Sequence, residues 1–421
     1  MRLIYVTIEG FWGVKDVSLN FYRDYNFIIG PNGIGKTTVL NLITSVFKVD
    51  IDAIAKVQFD RVLIGVIGLD NNLYHIDVIK GIGDDDDCVI TFQILNLSND
   101  FKVFSRIFKT VLHDRSDDYN RLRRFSRNYF QHEDAKKIIN EMINIVWLPI
   151  GRFTPENDKE YRLSAYGSTV DMRLDAVLEG IVKYASVINK NISNEMSEFQ
   201  RDALISSIDS SYAEGLKKNK NEHNSSHDMN ALMEVFQEVG IPEYKYKQRV
   251  LKMFTVLEEV VSKINEGKEN MLTQEEVTNA FSLSRTRYLV ERYNEYKTKK
   301  DLISNKINLF IEQLNKLFSN RKVFFITDSN ELSFISEGRG DLSLFDLSSG
   351  EKQLIILLGE VLLNESTPCV FIADEPEISL HVSWQEMLAE VMGQLNSNMQ
   401  VILATHSPDI VSKRTNNIIS M

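Results

Sequence analysis

Residues 25–38, Tyr25-Asn-Phe-Ile-Ile-Gly30-Pro-Asn-Gly-Ile-Gly-Lys36-Thr37-Thr38, decide how the rest of the chain is read. An apolar strand runs into a glycine-rich turn. The turn runs into TTVLNLITSVF, whose apolar residues recur at helical spacing. Gly30 to Thr37 fits G-x-x-x-x-G-K-[ST], and a strand before it with a helix after it is the context that confirms a phosphate-binding loop. Glycines let successive backbone N–H groups turn inward around phosphates, and the helix N-terminus adds partial positive charge. Asn32, Gly33, Gly35, Lys36, Thr37 and Thr38 form the expected cradle. Lys36 would reach the β- and γ-phosphates of ATP and Thr37 would bind Mg²⁺.

Three segments far along the chain complete that reading. Val370-Phe-Ile-Ala is an apolar strand that delivers two carboxylates, Asp374 and Glu375. Asp374 is the expected holder of hydrated Mg²⁺, and Glu375 the expected group that polarises a water for in-line attack. QVILATHS is another apolar strand, and His406 at its end is placed to hydrogen-bond the γ-phosphate and sense its loss. Leu347-Ser348-Ser349-Gly350-Glu351 opens a helix-like run, LIILLGEVLL, and has the build of a second anion-binding turn. One phosphate loop encloses its own phosphates, so the second turn raises the question of which phosphate it touches.

Working outward, residues 1–30 and about 58–105 alternate as short strands, whereas 106–142 read as polar helix. INIVWLPIG, residues 143–151, reads as a buried strand. From 156 to 320 glycine is sparse and Lys, Glu, Asn and Ser are dense, with 285–318 expected as one long helix. Its apolar stripe runs Leu289, Tyr293, Tyr296, Ile303, Ile307, Phe310, Leu314, Leu317. Strands return from 321. The expected organisation is an α/β head of mixed sheet and P-loop core, in lobes 1–155 and 321–421, split by a mainly helical insertion over 156–320.

The balance of 48 basic against 59 acidic residues gives a net charge of −11, which argues against general polyanion binding and confines any nucleic-acid contact to a local patch. Arg121, Arg123, Arg124 and Arg127 read as a solvated helix face or as such a contact. Asp84–Asp87 reads as a solvated hairpin tip. KKNKNEHNSSHD, residues 217–228, reads as a loop without a helix, so His223 and His227 are not expected to hold a metal. Two cysteines, Cys88 and Cys369, allow no disulfide framework and sit in strand contexts that predict buried thiols. With no membrane-length apolar run and no signal peptide, the expected location is the cytoplasm.

GPNGIGKT, LSSGEKQ, FIADEPEISLH and ATHSP, in that order, resemble the motifs of ATP-binding-cassette (ABC) ATPases, most of all the soluble SMC, Rad50 and RecF-type heads. EPEISLH is closer still to the ATPase module of OLD-family proteins. The resemblance covers both ends of the chain and not the middle. It implies that Ser349 and Gly350 belong to a signature motif that contacts, in trans, the nucleotide of a second subunit. It places Ser379, Leu380 and His381 in a loop crossing that interface, and so implies a homo-oligomer, at least a dimer. Relatives carry a basic residue near the turn where this chain has Gly10-Phe11-Trp12-Gly13, and Trp12 is expected to be buried. The glutamine of the Q-loop is not placed; Gln58 and Gln93 are candidates, with Arg152 as another γ-phosphate neighbour.

The insertion is too short for SMC or Rad50 arms. OLD proteins carry a nuclease domain after the ATPase, and fifteen residues past His406 leave no room for one, so any effector is expected on another chain. Detached ATPases of this kind occur in bacterial anti-phage systems, for example PARIS AriA, Septu PtuA and retron-associated ATPases. The resemblance therefore implies a sensor and scaffold that holds a separate effector nuclease and answers a phage protein or nucleic acid. The alternatives are a stand-alone RecF- or Rad50-like DNA-repair ATPase and a non-hydrolysing ATP clamp, the latter disfavoured by Glu375.

Overall fold

A computed structural model describes residues 1–82, 88–98, 101–110, 133–149, 168–208, 225–265, 273–319, 321–336 and 342–421. By contacts the chain divides into two compact units, residues 1–183 with 306–421, and residues 184–305.

The first unit holds the P-loop core. Its parallel sheet has the order β13-β3-β12-β11-β8, made of β3 (Tyr25–Ile29), β8 (Ile145–Pro149), β11 (Cys369–Asp374), β12 (Met399–Ala404) and β13 (Ile418–Ser420). Every residue of β11 and β12 is buried, the signature of strands covered on both faces, which explains their unbroken Val, Ile, Leu and Ala content. β8 lies at the edge of this sheet and only Leu148 in it is fully buried, so INIVWLPIG is a half-buried strand where a buried one was expected.

A second, antiparallel sheet runs β2-β1-β4-β5-β6-β7, from β1 (Arg2–Phe11), β2 (Lys15–Asn20), β4 (Arg61–Ile67), β5 (Leu73–Ile82), β6 (Cys88–Asn96) and β7 (Phe101–Thr110). Residues 106–110 therefore continue a strand and are not helical; β7 buries Phe104 and Phe108 and pairs with β6 along its length. A helix, α3, follows over 133–142. Helices α1 (Lys36–Lys48) and α2 (Ile51–Lys56) share one apolar core with the antiparallel sheet and with Val370, Ile372 and Ile402 of the parallel sheet.

Both cysteines are buried as expected, and burial pushes the Cys369 thiol up to about 12. Arg121, Arg123, Arg124, Arg127, Asp84–Asp87, Arg152 and His223 lie outside the described residues.

The helices of the expected insertion are α4 (Thr169–Ile208), α5 (Ser225–Glu238), α6 (Glu243–Asn265) and α7 (Gln274–Leu317). His227 falls inside α5, so a helix occupies what the polar composition suggested was loop. At 44 residues α7 begins earlier than the apolar stripe indicates and is about 66 Å long at about 1.5 Å per residue. The second unit has its own cores: Leu232, Tyr246, Val250, Phe254 and Val290 in one, Phe199, Val235, Tyr293 and Tyr296 in another. Arg292 with Asp202 and Lys299 with Glu195 add ion pairs between α7 and α4. Among the described residues no helix is long and apolar enough to cross a membrane.

β9 (Lys322–Ile326) and β10 (Leu332–Ser336) pair as a hairpin, a 3₁₀ turn follows at Leu344–Asp346, and α8 (Ser349–Leu363) leads to β11. Gly359 interrupts the strong helix formers of α8 because α4 crosses there: a Cβ on Gly359 would lie 2.5 Å from Val177 Cγ1. The remaining helices are α9 (Val382–Leu395) and α10 (Pro408–Val411). Replacing Gly359 with leucine overfills this crossing and is expected to lower stability by about 1–3 kcal/mol. The check is the urea midpoint at constant slope, and an unchanged midpoint would show that α4 yields there.

Candidate functional site

The parallel register places Ile28, Ala404 and Asp374 side by side. The residues following these three strands therefore leave the same carboxyl-terminal edge, the place where open α/β sheets bind ligands. The ladder continues one step beyond: Thr405 N donates to Ile28 O at 3.1 Å and Glu375 N to Ala404 O at 2.8 Å.

The loop after β3 has the backbone that its glycines permit. Gly33 and Gly35 take φ of 79° and 107°, and a Cβ on Gly35 would meet the Phe11 ring at 2.8 Å. Lys36 is buried, and its ammonium donates to Gly30 O at 2.9 Å and Pro31 O at 3.2 Å, so it lies along the loop. From the other side Lys15 Nζ donates to Ile34 O at 3.0 Å. Asn32, Gly33 and Thr37 are exposed and Thr38 is half-buried.

Trp12 is not buried as expected. It is 39% exposed, has a positive φ of 57°, and stacks on Phe11 with centroids 4.7 Å apart. The turn Gly10–Gly13 holds three positive φ values in four residues, which lifts the indole out of the core and sets its edge beside Gly35. Of the Q-loop candidates, Gln58 lies beside Gly13 and Gln93 in the middle of β6, opposite Asp77 and Ser105; neither follows a strand of the parallel sheet.

Asp374 ends β11 and is only 8% exposed. Burial pushes its carboxyl up; a hydrogen bond from Thr37 opposes this, while the charge of Glu375 adds to it. Its Oδ1 is buried without a hydrogen-bond partner. An ionised oxygen left in that state is costly, and a hydrated cation would satisfy it. Thr37 and Asp374 thus fit a divalent cation, which they would hold by one hydroxyl and one carboxylate oxygen. Among the described residues no cluster of three His, Cys, Asp or Glu could cage a metal alone. Glu375 is held in the left-handed region at φ 48°, an uncommon conformation for a residue with a Cβ. Its Oε1 lies 3.9 Å from His406 Nε2. The structure therefore brings Lys36, Thr37, Asp374, Glu375 and His406 to one edge.

Ser349 and Gly350 belong to a different neighbourhood. Ser348 caps α8, accepting from Glu351 N, while Glu351 accepts from Ser348 N at 2.9 Å. Ser349 is exposed, and a Cβ on Gly350 would lie 2.0 Å from the Ser379 carbonyl, so only glycine fits. Ser379 itself has a positive φ of 69°.

Sequence reasoning missed Glu377. One of its carboxylate oxygens accepts from Thr405 Oγ1 at 2.7 Å, His406 N at 2.7 Å and Ser407 N at 3.2 Å. The signal available was a third acidic residue two places after Glu375.

A family model described as an AAA ATPase domain, AAA_15, matches residues 1–411. The chain is 28% identical over 199 residues to the retron Vc95 probable ATPase of Vibrio cholerae serotype O1 biovar El Tor, covering 40% of this chain and 37% of that one. It is 46% identical over 41 residues, 10% of each chain, to the Septu protein PtuA of Bacillus thuringiensis. These matches span well under half the length of either relative. Among solved structures, the Smc head domain with an extended coiled coil from Pyrococcus furiosus aligns over 100% of this chain and 93% of its own, with a TM-score of 0.43 and 15% identity.

Asp374 supplies a test of the cation fit. Its raised carboxyl means that the folded state favours the protonated form, so ionisation costs stability at neutral pH and costs nothing below the ordinary carboxylate range. Asp374→Asn is expected to raise the melting temperature at pH 7.5 without nucleotide, by about 2–4 °C for each kcal/mol relieved. The advantage should fade towards about pH 4. Thermal scans with and without Mg²⁺ check this; a lower melting temperature at pH 7.5 would rule it out.

Proposed function

The chain belongs to the AAA_15 family of AAA ATPase domains, and from that premise we propose that it is the Mg²⁺-dependent ATPase subunit of a bacterial anti-phage defence system. In this reading it hydrolyses ATP, assembles through composite ATP sites, and works as a cytoplasmic sensor and scaffold that holds a separate effector. The similarity to a retron ATPase and to PtuA supports the defence context. The observation that carries the catalytic part is the common edge formed by Ile28, Ala404 and Asp374, with Lys36, Glu375 and His406 just beyond it.

Each residue then has a physical task. Loop N–H groups and Lys36 bind and orient the β- and γ-phosphates. Thr37 and Asp374 hold the cation, which when bound neutralises phosphate charge. Glu375 orients the attacking water and takes its proton. His406 donates to a γ-phosphate oxygen and registers its departure.

The assembly part rests on the second anion-binding turn. Ser349 is exposed at the start of a 15-residue helix, and Gly350 packs on Ser379. Both face away from their own phosphate loop in this reading and complete the ATP site of a second copy, joining heads as a homo-oligomer. An effector on another chain fits the lack, among the described residues, of an acidic metal cluster of the kind nucleases use. Residues 156–320 are the proposed assembly and partner-binding part.

Phosphate release and light scattering test this together. Glu375→Gln is expected to lose at least about 100-fold in turnover while still binding ATP and accumulating the oligomer. Lys36→Ala should lose both ATP binding and ATP-dependent assembly. Full turnover in either variant would remove the assignment. Ser349→Arg and Lys36→Ala proteins should each be inactive alone, and mixing them should restore at most one composite site per pair. Unchanged turnover and self-association in Ser349→Arg would show that the contact in trans does not exist.

A further inference from the structure

Glu377 is built into the site more firmly than a loop residue needs to be. Its Oε1 accepts three hydrogen bonds, from the Thr405 hydroxyl and from the consecutive N–H groups of His406 and Ser407. Two successive amides converging on one charged oxygen make a short nest, and a charged acceptor holds such donors more strongly than a neutral one. One donor is the main-chain N–H of His406 and the other two come from its neighbours Thr405 and Ser407, so Glu377 fixes the backbone from which the His406 side chain starts. Thr405, completely buried, reinforces the turn by accepting from Ser407 N at 2.9 Å.

The same residue is tied in the other direction. Glu377 O accepts from Leu380 N at 2.9 Å and, at 3.4 Å, from Gln385 Nε2, which also donates to Leu380 O at 2.9 Å. The Gln385 Oε1 accepts from Ser407 Oγ at 2.7 Å. Gln385 is a buried amide on α9 whose two ends grip the loop after Glu375 and the loop after His406. Glu377 and Gln385 thus bridge the same two loops twice, once through a carboxylate and once through an amide. Residues 375–381 include Ser379, on whose carbonyl Gly350 rests. Glu377 Oε2 is buried and has no hydrogen-bond partner among the described residues.

We propose that Glu377 is a positioning residue for hydrolysis, which with Gln385 locks the loop 375–381 to the loop 405–409 so that Glu375 and His406 keep their spacing across the γ-phosphate position. The inference rests on the ATPase reading above and adds to it a residue that acts through His406, not on ATP. It makes the two loops one body: a displacement at Ser379 by a neighbouring subunit reaches His406 through hydrogen bonds and without passing through the P-loop.

The experiment is steady-state ATP turnover of the full chain with Mg²⁺, for wild type, Lys36→Ala, Glu377→Ala, Glu377→Gln, His406→Ala and the Glu377→Ala/His406→Ala double variant. Glu377→Ala is expected to lower kcat by about 10- to 100-fold with KM for ATP changed less than about threefold, as for an interaction needed in the transition state. Glu377→Gln keeps an acceptor oxygen for the three donors and should recover most of the loss. The double variant should equal His406→Ala within about twofold, because a residue acting through His406 has nothing left to position. Additive losses in the double variant, or wild-type kcat in Glu377→Ala, would overturn the proposal. Should Glu377→Ala fail to fold, Gln385→Met is read instead: the same kcat-selective loss upholds the coupling and wild-type kcat overturns it. Wild-type protein without Lys36-dependent turnover would overturn the ATPase reading and this inference with it. Lys36-dependent turnover indifferent to Glu377 and Gln385 would overturn this inference alone.

Discussion

Everything at the site depends on the register of three buried parallel strands. Ile28, Ala404 and Asp374 stand in one row, and a slip of one residue would move a strand end by about 3.3 Å and turn its side chains to the other face. Apolar strands buried on both faces specify register weakly by pattern alone, since every position is alike. Buried polar side chains supply the missing information. Asn26 donates to Val401 O at 3.2 Å and to Tyr22 O at 3.1 Å while accepting from Tyr22 N. Gln400 accepts from Leu3 N at 2.7 Å and donates to Leu3 O at 2.9 Å, mimicking a strand partner and joining the parallel sheet to the antiparallel one. Each would leave unpaired groups in the core if its strand slipped, and that penalty is what pins the row.

The nucleotide side of the site was legible because its constraints are local. A glycine at φ 107°, a lysine seven places after the strand and an acidic pair ending an apolar run are each readable in a few residues. In the antiparallel sheet β6 was legible for the same reason, since buried and half-buried residues alternate along it. What escaped was set by distant partners. Trp12 is apolar and was assigned to the core, but two neighbouring glycines with positive φ turn it outward. β7 looked helical past residue 105 because Arg106 and Lys109 interrupt its apolar alternation, and only pairing with β6 decides the matter. Glu377 meets its donors 28 to 30 residues later in the chain, and no spacing rule connects them.

Helix α8, which opens with Ser349 and Gly350, shows how such distant ties combine. Its first turn is closed by the Ser348–Glu351 capping box, and Glu351 also pairs with Lys322 at the start of β9, which with the capping bonds holds the Glu351 carboxyl below its ordinary range despite burial. Lys352, next along, pairs with Asp171 at 2.7 Å on the first turn of α4. Immediately after Gly359, Glu360 faces Arg173 at 3.9 Å, and Arg173 donates to the Trp147 and Pro149 carbonyls at the end of β8. Burial pushes Glu360 up and Arg173 down, so that pair contributes position more than stability. Three ion pairs therefore fasten one helix to β9, to the root of α4 and, through Arg173, to the edge strand β8. Gly350 fastens it to Ser379. Helix α8 therefore carries the turn Ser349–Gly350 at a junction between the first turn of α4 and the loop to which Glu377 belongs.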